Sequence, residues 1–241
     1  MSTSDQGLAI AQIAFYAAIS IPALYCLISH GRHGLMGWIY VLAMCGLRLA
    51  GNAMSLNAYH NHEISPSASI INGIGLSPLL MASLGLLHES NHSIQHTLSP
   101  LLGMPGKVVT HLVVAGGIAL AAASHGKESL LRGGLIIFAL GWTMVAGLVF
   151  LSYRGGHSRR VLDEKKLLLA ITVAMPLIGI RIIYSIATVF SSSGMSGGSL
   201  AVRVILGVLP EFLVMIDYVA VGIVTRNLAR DRSEQKTVNG A

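Results

Sequence analysis

The chain has 241 residues, of which 53% are hydrophobic and only 11% are charged, and its mean hydropathy is +0.68. Soluble domains carry about 25% charged residues, so this composition excludes an ordinary soluble domain and predicts a polytopic membrane protein. The net charge of +6 does not indicate nucleic-acid binding, because the basic residues flank hydrophobic segments. Cys26 and Cys45 both lie inside such segments, a position typical of packing residues rather than of a disulfide.

Seven segments are long and apolar enough to predict transmembrane helices. They cover residues 8–29, 35–58, 68–88, 107–124, 133–153, 167–190 and 201–224. An all-α fold is expected because lipid cannot satisfy the exposed backbone groups of open strands. The sequence therefore predicts a seven-helix transmembrane domain over residues 1–225, followed by a polar, disordered cytosolic tail at residues 226–241.

The distribution of Lys and Arg predicts the orientation of the helices. Of the sixteen basic residues, only Lys127, Arg132 and Arg203 lie on the side of the N-terminus, and most of the others lie on the opposite side. The N-terminus is therefore expected to be lumenal or extracellular and the C-terminus cytosolic, in a multi-pass protein of the endoplasmic reticulum. The sequon at Asn91 falls in a loop that this orientation makes cytosolic, so we expect it to carry no glycan.

Four ionisable residues lie within the predicted helices: Arg48, Arg181, Glu211 and Asp217. Such groups are costly in a membrane and indicate functional positions. At a rise of about 1.5 Å per residue, the first three lie about 20 Å from the cytosolic edge. They are therefore predicted to meet in a polar centre. Asp217 lies six residues beyond Glu211, about 9 Å nearer the cytosol.

Neighbouring polar residues are predicted to complete this centre. Asn52 follows Arg48 at i+4 and Tyr184 follows Arg181 at i+3, which places each pair on one helix face. Asn72, in the third predicted helix, is a further candidate. Proline breaks the helical hydrogen-bond pattern, so Pro210 predicts a kink beside Glu211 that makes room for a ligand.

Two roles are open for these charges. In the first, Arg48, Arg181 and Glu211 form a structural ion cluster that fixes helix packing. In the second, Asp217 and Glu211 are catalytic. Asp217 points about 120° away from Glu211 around the helix, so it lacks the same cationic partners and is the candidate general acid. Glu211 is then the charged stabiliser or the base.

The string His88-Glu89-Ser90-Asn91-His92 matches the H-E-x-x-H pattern of zinc metalloproteases. It lies at the polar end of the third predicted helix, and the sequence offers no obvious third metal ligand. A chance match in a chain with ten histidines is therefore the expected explanation, and no metal site is predicted.

Five stretches resemble a fungal seven-helix membrane family of unassigned function: LAIAQIAFYAAISIPALYCLISHG, GWIYVLAMCGLRLAGNAM, INGIGLSPLLMASLGLL, PLIGIRIIYSIATVF and PEFLVMIDYVAVGIV. The chain also resembles, more loosely, the fungal integral-membrane terpene and meroterpenoid cyclases, in which acidic residues protonate an epoxide or alkene. There the acidic residue of the last helix would correspond to Asp217 or Glu211. The RIIY and EFLVMID strings are similar to the lipid-translocating exporter family.

These resemblances imply two functions. The first is a membrane-embedded cyclase or isomerase of fungal secondary metabolism, which acts by acid catalysis on a lipophilic, prenylated or epoxidised substrate without a cofactor. Asp217 and Glu211 would carry the chemistry, and the binding residues would be Arg48, Asn52, Asn72, Arg181 and Tyr184. The second is a seven-helix lipid transporter or receptor-like ligand-binding protein. The expected partners are a lipophilic small molecule and membrane lipid, with no nucleic acid; the sequence leaves the oligomeric state open.

Overall fold

The computed structural model describes residues 3–61, 76–94, 104–123, 128–154, 161–190 and 199–228. All regular structure within these ranges is helical, which confirms the all-α prediction. We number the long helices α1 Ser4–Arg32, α2 Gly34–His60, α3 Leu76–Ser90, α4 Met104–Ala122, α5 Glu128–Arg154, α6 Leu162–Phe190 and α7 Leu200–Val224. A short 3₁₀ helix, His92–Ile94, follows α3. Asn72 and residues 229–241 of the predicted tail lie outside the described residues.

Five of these helices, α1, α2, α5, α6 and α7, are long and apolar enough to cross a membrane. Helix α4 contains a shorter apolar stretch, Val108–Gly117. Large apolar side chains also cover the outside of the bundle, among them Ile21, Ile28, Leu112, Phe150 and Ile183. Helices that are apolar both inside and outside are compatible with an integral multi-pass membrane protein. The orientation across the membrane stays a prediction.

Helices α1 and α2 form an antiparallel pair that is broken at a single residue. Gly31 has φ 59°, in the left-handed region that favours glycine, so the helix stops there without the longer loop that the sequence suggested. Asn52 Nδ2 donates a hydrogen bond to Gln12 Oε1 over 3.4 Å, which places the end of α2 beside the start of α1.

Helix α3 lies at the centre of the bundle. Its residues from Ser77 to Leu87 are buried on every face, and it packs against the other long helices. Its closest neighbour is α2, because a Cβ atom at Gly85 would lie only 2.5 Å from the Cα of Gly37. Small residues that let helix backbones approach in this way are typical of packing in membranes.

Helix α7 changes its winding before the polar centre. It begins with an α-helical turn, Leu200–Val202, continues as a π-helix, Arg203–Val208, and ends as an α-helix, Leu209–Val224. The sequence predicted a disturbance at Pro210, and the structure places the disturbance just before it. Pro210 lies in the first turn of the final helical segment, where its missing N–H costs least.

Candidate functional site

Three charged side chains from three helices meet inside the bundle. Glu211 Oε1 accepts hydrogen bonds from Arg48 Nη2 and, over 2.8 Å, from Arg181 Nε. Tyr16 adds a hydroxyl donor, 3.3 Å from Glu211 Oε2. The side chains of Arg48 and Glu211 are only 6% and 2% exposed. We call Arg48, Arg181 and Glu211 the ion cluster; as the depth estimate predicted, they lie together.

The ion cluster fixes the charge state of its carboxyl group. Two guanidinium groups on one oxygen favour the carboxylate over the neutral acid. Glu211 is therefore suited to holding charge and unsuited to donating a proton. Because one carboxylate faces two guanidinium groups, the cluster carries one net positive charge.

Arg181 is held in place by its own helix. Its Nη1 donates to Ser185 Oγ over 2.5 Å, and its guanidinium carbon lies 5.8 Å from the ring centre of Tyr184. Ser185 and Tyr184 are one turn further along α6, so the sequence spacing alone brings them to Arg181.

A cavity of about 180 Å³ lies against the ion cluster. It is bounded by α1, α2, α6 and α7, through Asp5, Leu8, Ala9, Gln12, Arg48, Asn52, Ser55, Arg181, Tyr184, Arg203, Gly207, Val208 and Glu211. Of the predicted binding residues, Arg48, Asn52, Arg181 and Tyr184 line it together. Asn52 is held there by hydrogen bonds to the carbonyl oxygen of Arg48, over 2.8 Å, and to Gln12.

A second ion pair lines the same cavity nearer to the helix ends. Arg203 Nη1 donates to Asp5 Oδ1 over 2.5 Å, and these side chains are 39% and 21% exposed. We call this the outer pair. From the sequence, Arg203 was predicted only to contribute to the orientation of the helices, and Asp5 was not predicted to belong to the site. The available signal was their position, since both lie within one turn of the end of a predicted spanning helix.

Part of the cavity wall is formed by the π-helical segment of α7. Leu209 N–H donates to the carbonyl oxygen of Val204, five residues earlier, and Arg203, Gly207 and Val208 of this wider turn line one wall of the cavity with Glu211. π-helical turns of this kind are frequent at functional sites. Gly207 leaves room for Tyr184, because a Cβ atom there would lie 3.2 Å from the Tyr184 ring.

Asp217, the predicted acid, lies apart from the ion cluster. It is half-buried and is not among the described residues that line the cavity. Its Oδ2 is buried and has no hydrogen-bond partner within the described part of the chain. The adjacent Tyr218 is fully buried, with its hydroxyl 2.6 Å from Ser83 Oγ. The structure therefore does not join Asp217 and Glu211 in one site.

The H-E-x-x-H string is part of a buried contact near the opposite end of α7 from the outer pair. Glu89 Oε1 lies 2.7 Å from His30 Nδ1, and His30 Nε2 lies 2.9 Å from the carbonyl oxygen of Gly222. Helix α3 ends at Ser90 and His92 begins a 3₁₀ helix, so the two histidines of the string do not share one continuous α-helix. Glu89 of α3 thus contacts His30 of α1. In a metalloprotease, by contrast, the glutamate of this motif acts as the general base beside the metal.

Comparison with known proteins places the chain in a family without giving its activity. The family model described as domain of unknown function (DUF7702) matches residues 2–228, and the chain belongs to this family. This agrees with the expected membership of a family of unassigned function. No curated protein and no solved structure matches the chain.

Proposed function

We propose that this member of the DUF7702 family is a multi-pass membrane protein that binds a small ligand in the cavity beside its ion cluster, as a transporter or a receptor-like protein. The observation that carries this proposal is the position of the cluster. Arg48, Arg181 and Glu211 form part of the wall of a cavity of about 180 Å³ and are not enclosed by packing on all sides.

A purely structural cluster would have no need of that space. Charges within a membrane are costly, and packing alone is achieved more cheaply with apolar side chains of similar volume. A cavity with a few convergent polar groups is the usual form of a small-molecule site. In this cavity the convergent polar groups are those of Arg48, Arg181 and Glu211, which lie on the helices α2, α6 and α7.

The cavity wall has both polar and apolar parts. Leu8, Ala9 and Val208 provide aliphatic surface, and Tyr184 provides a ring next to the guanidinium group of Arg181. A ligand with one polar end and one apolar end suits such a wall. This supports an amphiphilic or lipid-derived ligand.

A second candidate function is the cyclase or isomerase of fungal secondary metabolism in the endoplasmic reticulum. The observation that favours it is Asp217, whose buried Oδ2 has no hydrogen-bond partner within the described residues. A carboxyl group in such surroundings is suited to protonate an epoxide or alkene. Turnover of epoxidised prenyl compounds that is lost in Asp217→Asn would favour this function. Turnover that Asp217→Asn leaves intact would exclude Asp217 as its acid.

The proposed binding function can be tested without knowing the ligand. Gly207→Leu puts a side chain into the cavity, whereas Gly46→Leu adds the same group at an exposed position with open space around its Cβ. Small molecules that co-purify with the wild type and both variants are extracted and compared by mass spectrometry. We expect at least one species to be retained by wild type and Gly46→Leu and lost from Gly207→Leu. Identical extracts from all three folded proteins would refute the proposal.

A further inference from the structure

We propose that the ligand carries an anionic group, a carboxylate or a phosphate, which binds between Arg181 and Arg203 in competition with Asp5. This inference rests on the proposed function, because it names the chemistry of the ligand that the cavity takes.

The described charges of the cavity wall are mainly positive. The described residues that line the cavity include three arginines, Arg48, Arg181 and Arg203, and two acids, Asp5 and Glu211. Among these five side chains the positive charges exceed the negative charges by one. A wall with this charge favours an anionic ligand over a neutral or cationic one.

Arg181 and Arg203 both have hydrogen-bond donors left for a ligand. A guanidinium group has five N–H donors in a planar fork that matches carboxylate and phosphate oxygens. Arg181 uses Nε for Glu211 and Nη1 for Ser185, and Arg203 uses Nη1 for Asp5. Within the described part of the chain, Arg181 Nη2 and Arg203 Nη2 make no hydrogen bond, so each arginine keeps donors for an added anion.

The two ion pairs of the cavity wall differ in burial. The Arg48–Glu211 pair is nearly fully buried, whereas the side chains of Arg203 and Asp5 are 39% and 21% exposed. A partly exposed pair of this kind contributes less to stability than a fully buried pair does. Asp5 therefore acts as a replaceable carboxylate at the outer part of the cavity, and the ion cluster acts as its fixed inner wall.

The experiment uses the full chain in nanodiscs of zwitterionic lipid, so that no anionic lipid competes. Equilibrium binding is measured for probes with the same C18 chain: oleate, oleyl phosphate, oleyl alcohol and oleylamine. Acetate and inorganic phosphate are measured in parallel, to distinguish a lipid headgroup from a free anion. We expect saturable binding of an anionic probe to the wild type. Arg203→Gln removes one charge-assisted hydrogen-bonding group, so we expect it to bind the same probe at least about tenfold more weakly.

The variant Asp5→Asn makes the test specific. It removes the competing carboxylate, so we expect tighter anion binding, whereas a merely structural role of Asp5 predicts no gain. The matched control is Asp163→Asn, which removes the acid of another ion pair, with Lys166 at 2.7 Å, away from the cavity. Arg203→Gln leaves the ion cluster intact, so its folding can be verified separately by thermal unfolding.

The outcomes separate this inference from the proposed function. Equal binding of oleyl alcohol and oleate, both blocked by Gly207→Leu, would overturn the anion preference and leave a ligand-binding cavity. Tighter binding of oleylamine than of oleate would also overturn the anion preference and leave a ligand-binding cavity. No binding of any probe would overturn the anion inference, and the co-purification experiment would then decide the proposed function independently. Acetate or inorganic phosphate binding as tightly as oleate would support an anion site and identify a free anion as its ligand.

Discussion

Arg48 and Glu211 lie 163 residues apart in the chain and form an ion pair whose side chains are only 6% and 2% exposed. Arg181 joins the same carboxyl oxygen from a third helix, 2.8 Å away. Because this cluster lines a cavity, it is both part of the packing between α2, α6 and α7 and part of the surface that a ligand would meet.

The variant Glu211→Gln should destabilise the protein strongly. It removes the negative charge that both arginines share, and breaking a buried pair costs about 3–5 kcal/mol. Thermal unfolding in detergent measures the change. Asp163→Asn is the control, because removal of its partly exposed pair with Lys166 should cost at most about 1 kcal/mol. Equal stability of Glu211→Gln and wild type would show that the ion cluster does not hold the helices together.

Asn91 should carry no glycan. It is 4% exposed, and its Oδ1 accepts a hydrogen bond from Ser152 Oγ over 2.5 Å, so a sugar cannot be attached without opening the bundle. Electrophoretic mobility with and without endoglycosidase measures this. A glycosylation tag appended before Met1 serves as the positive control, because the predicted orientation places it in the lumen. A mobility shift that disappears in Asn91→Gln would contradict both the burial and the orientation.

His30→Ala should destabilise the protein and leave the cavity unchanged. His30 contacts Glu89 of α3 and the carbonyl oxygen of Gly222 in α7, so its loss removes buried polar contacts between three helices, at a cost of about 3 kcal/mol. The exposed His60 provides the control variant His60→Ala. We expect lower thermal stability in His30→Ala alone, with ligand affinity per folded molecule preserved. Loss of affinity in a variant of normal stability would mean that this contact belongs to the site.

The sequence was sufficient to predict the ion cluster because a helix rises by a constant amount per residue. Counting residues from the helix ends placed Arg48, Arg181 and Glu211 at one depth, and they lie together. The all-α fold followed equally directly from composition. Asn52 and Tyr184 followed from helical spacing, and both line the cavity.

The parts that the sequence did not predict depend on backbone winding and on distant partners. Arg203 begins a π-helical turn, and a change from α-helical to π-helical hydrogen bonding does not alter the hydropathy pattern from which the helices were predicted. Glu89 lies in a string that resembles a zinc motif, but its partner His30 is 59 residues away and is brought close only by packing of α1 against α3.

The most direct test of the account is an experimental structure of the full chain in nanodiscs with saturating oleate. We predict ligand density in the cavity, with the carboxylate within hydrogen-bond distance of Arg181 and Arg203 and the contact between Arg203 and Asp5 opened. A map of equal quality in which the cavity holds no ligand and Asp5 remains on Arg203 would contradict the account. The co-purification experiment would then decide whether the ion cluster lines a binding site for another ligand or only packs the bundle.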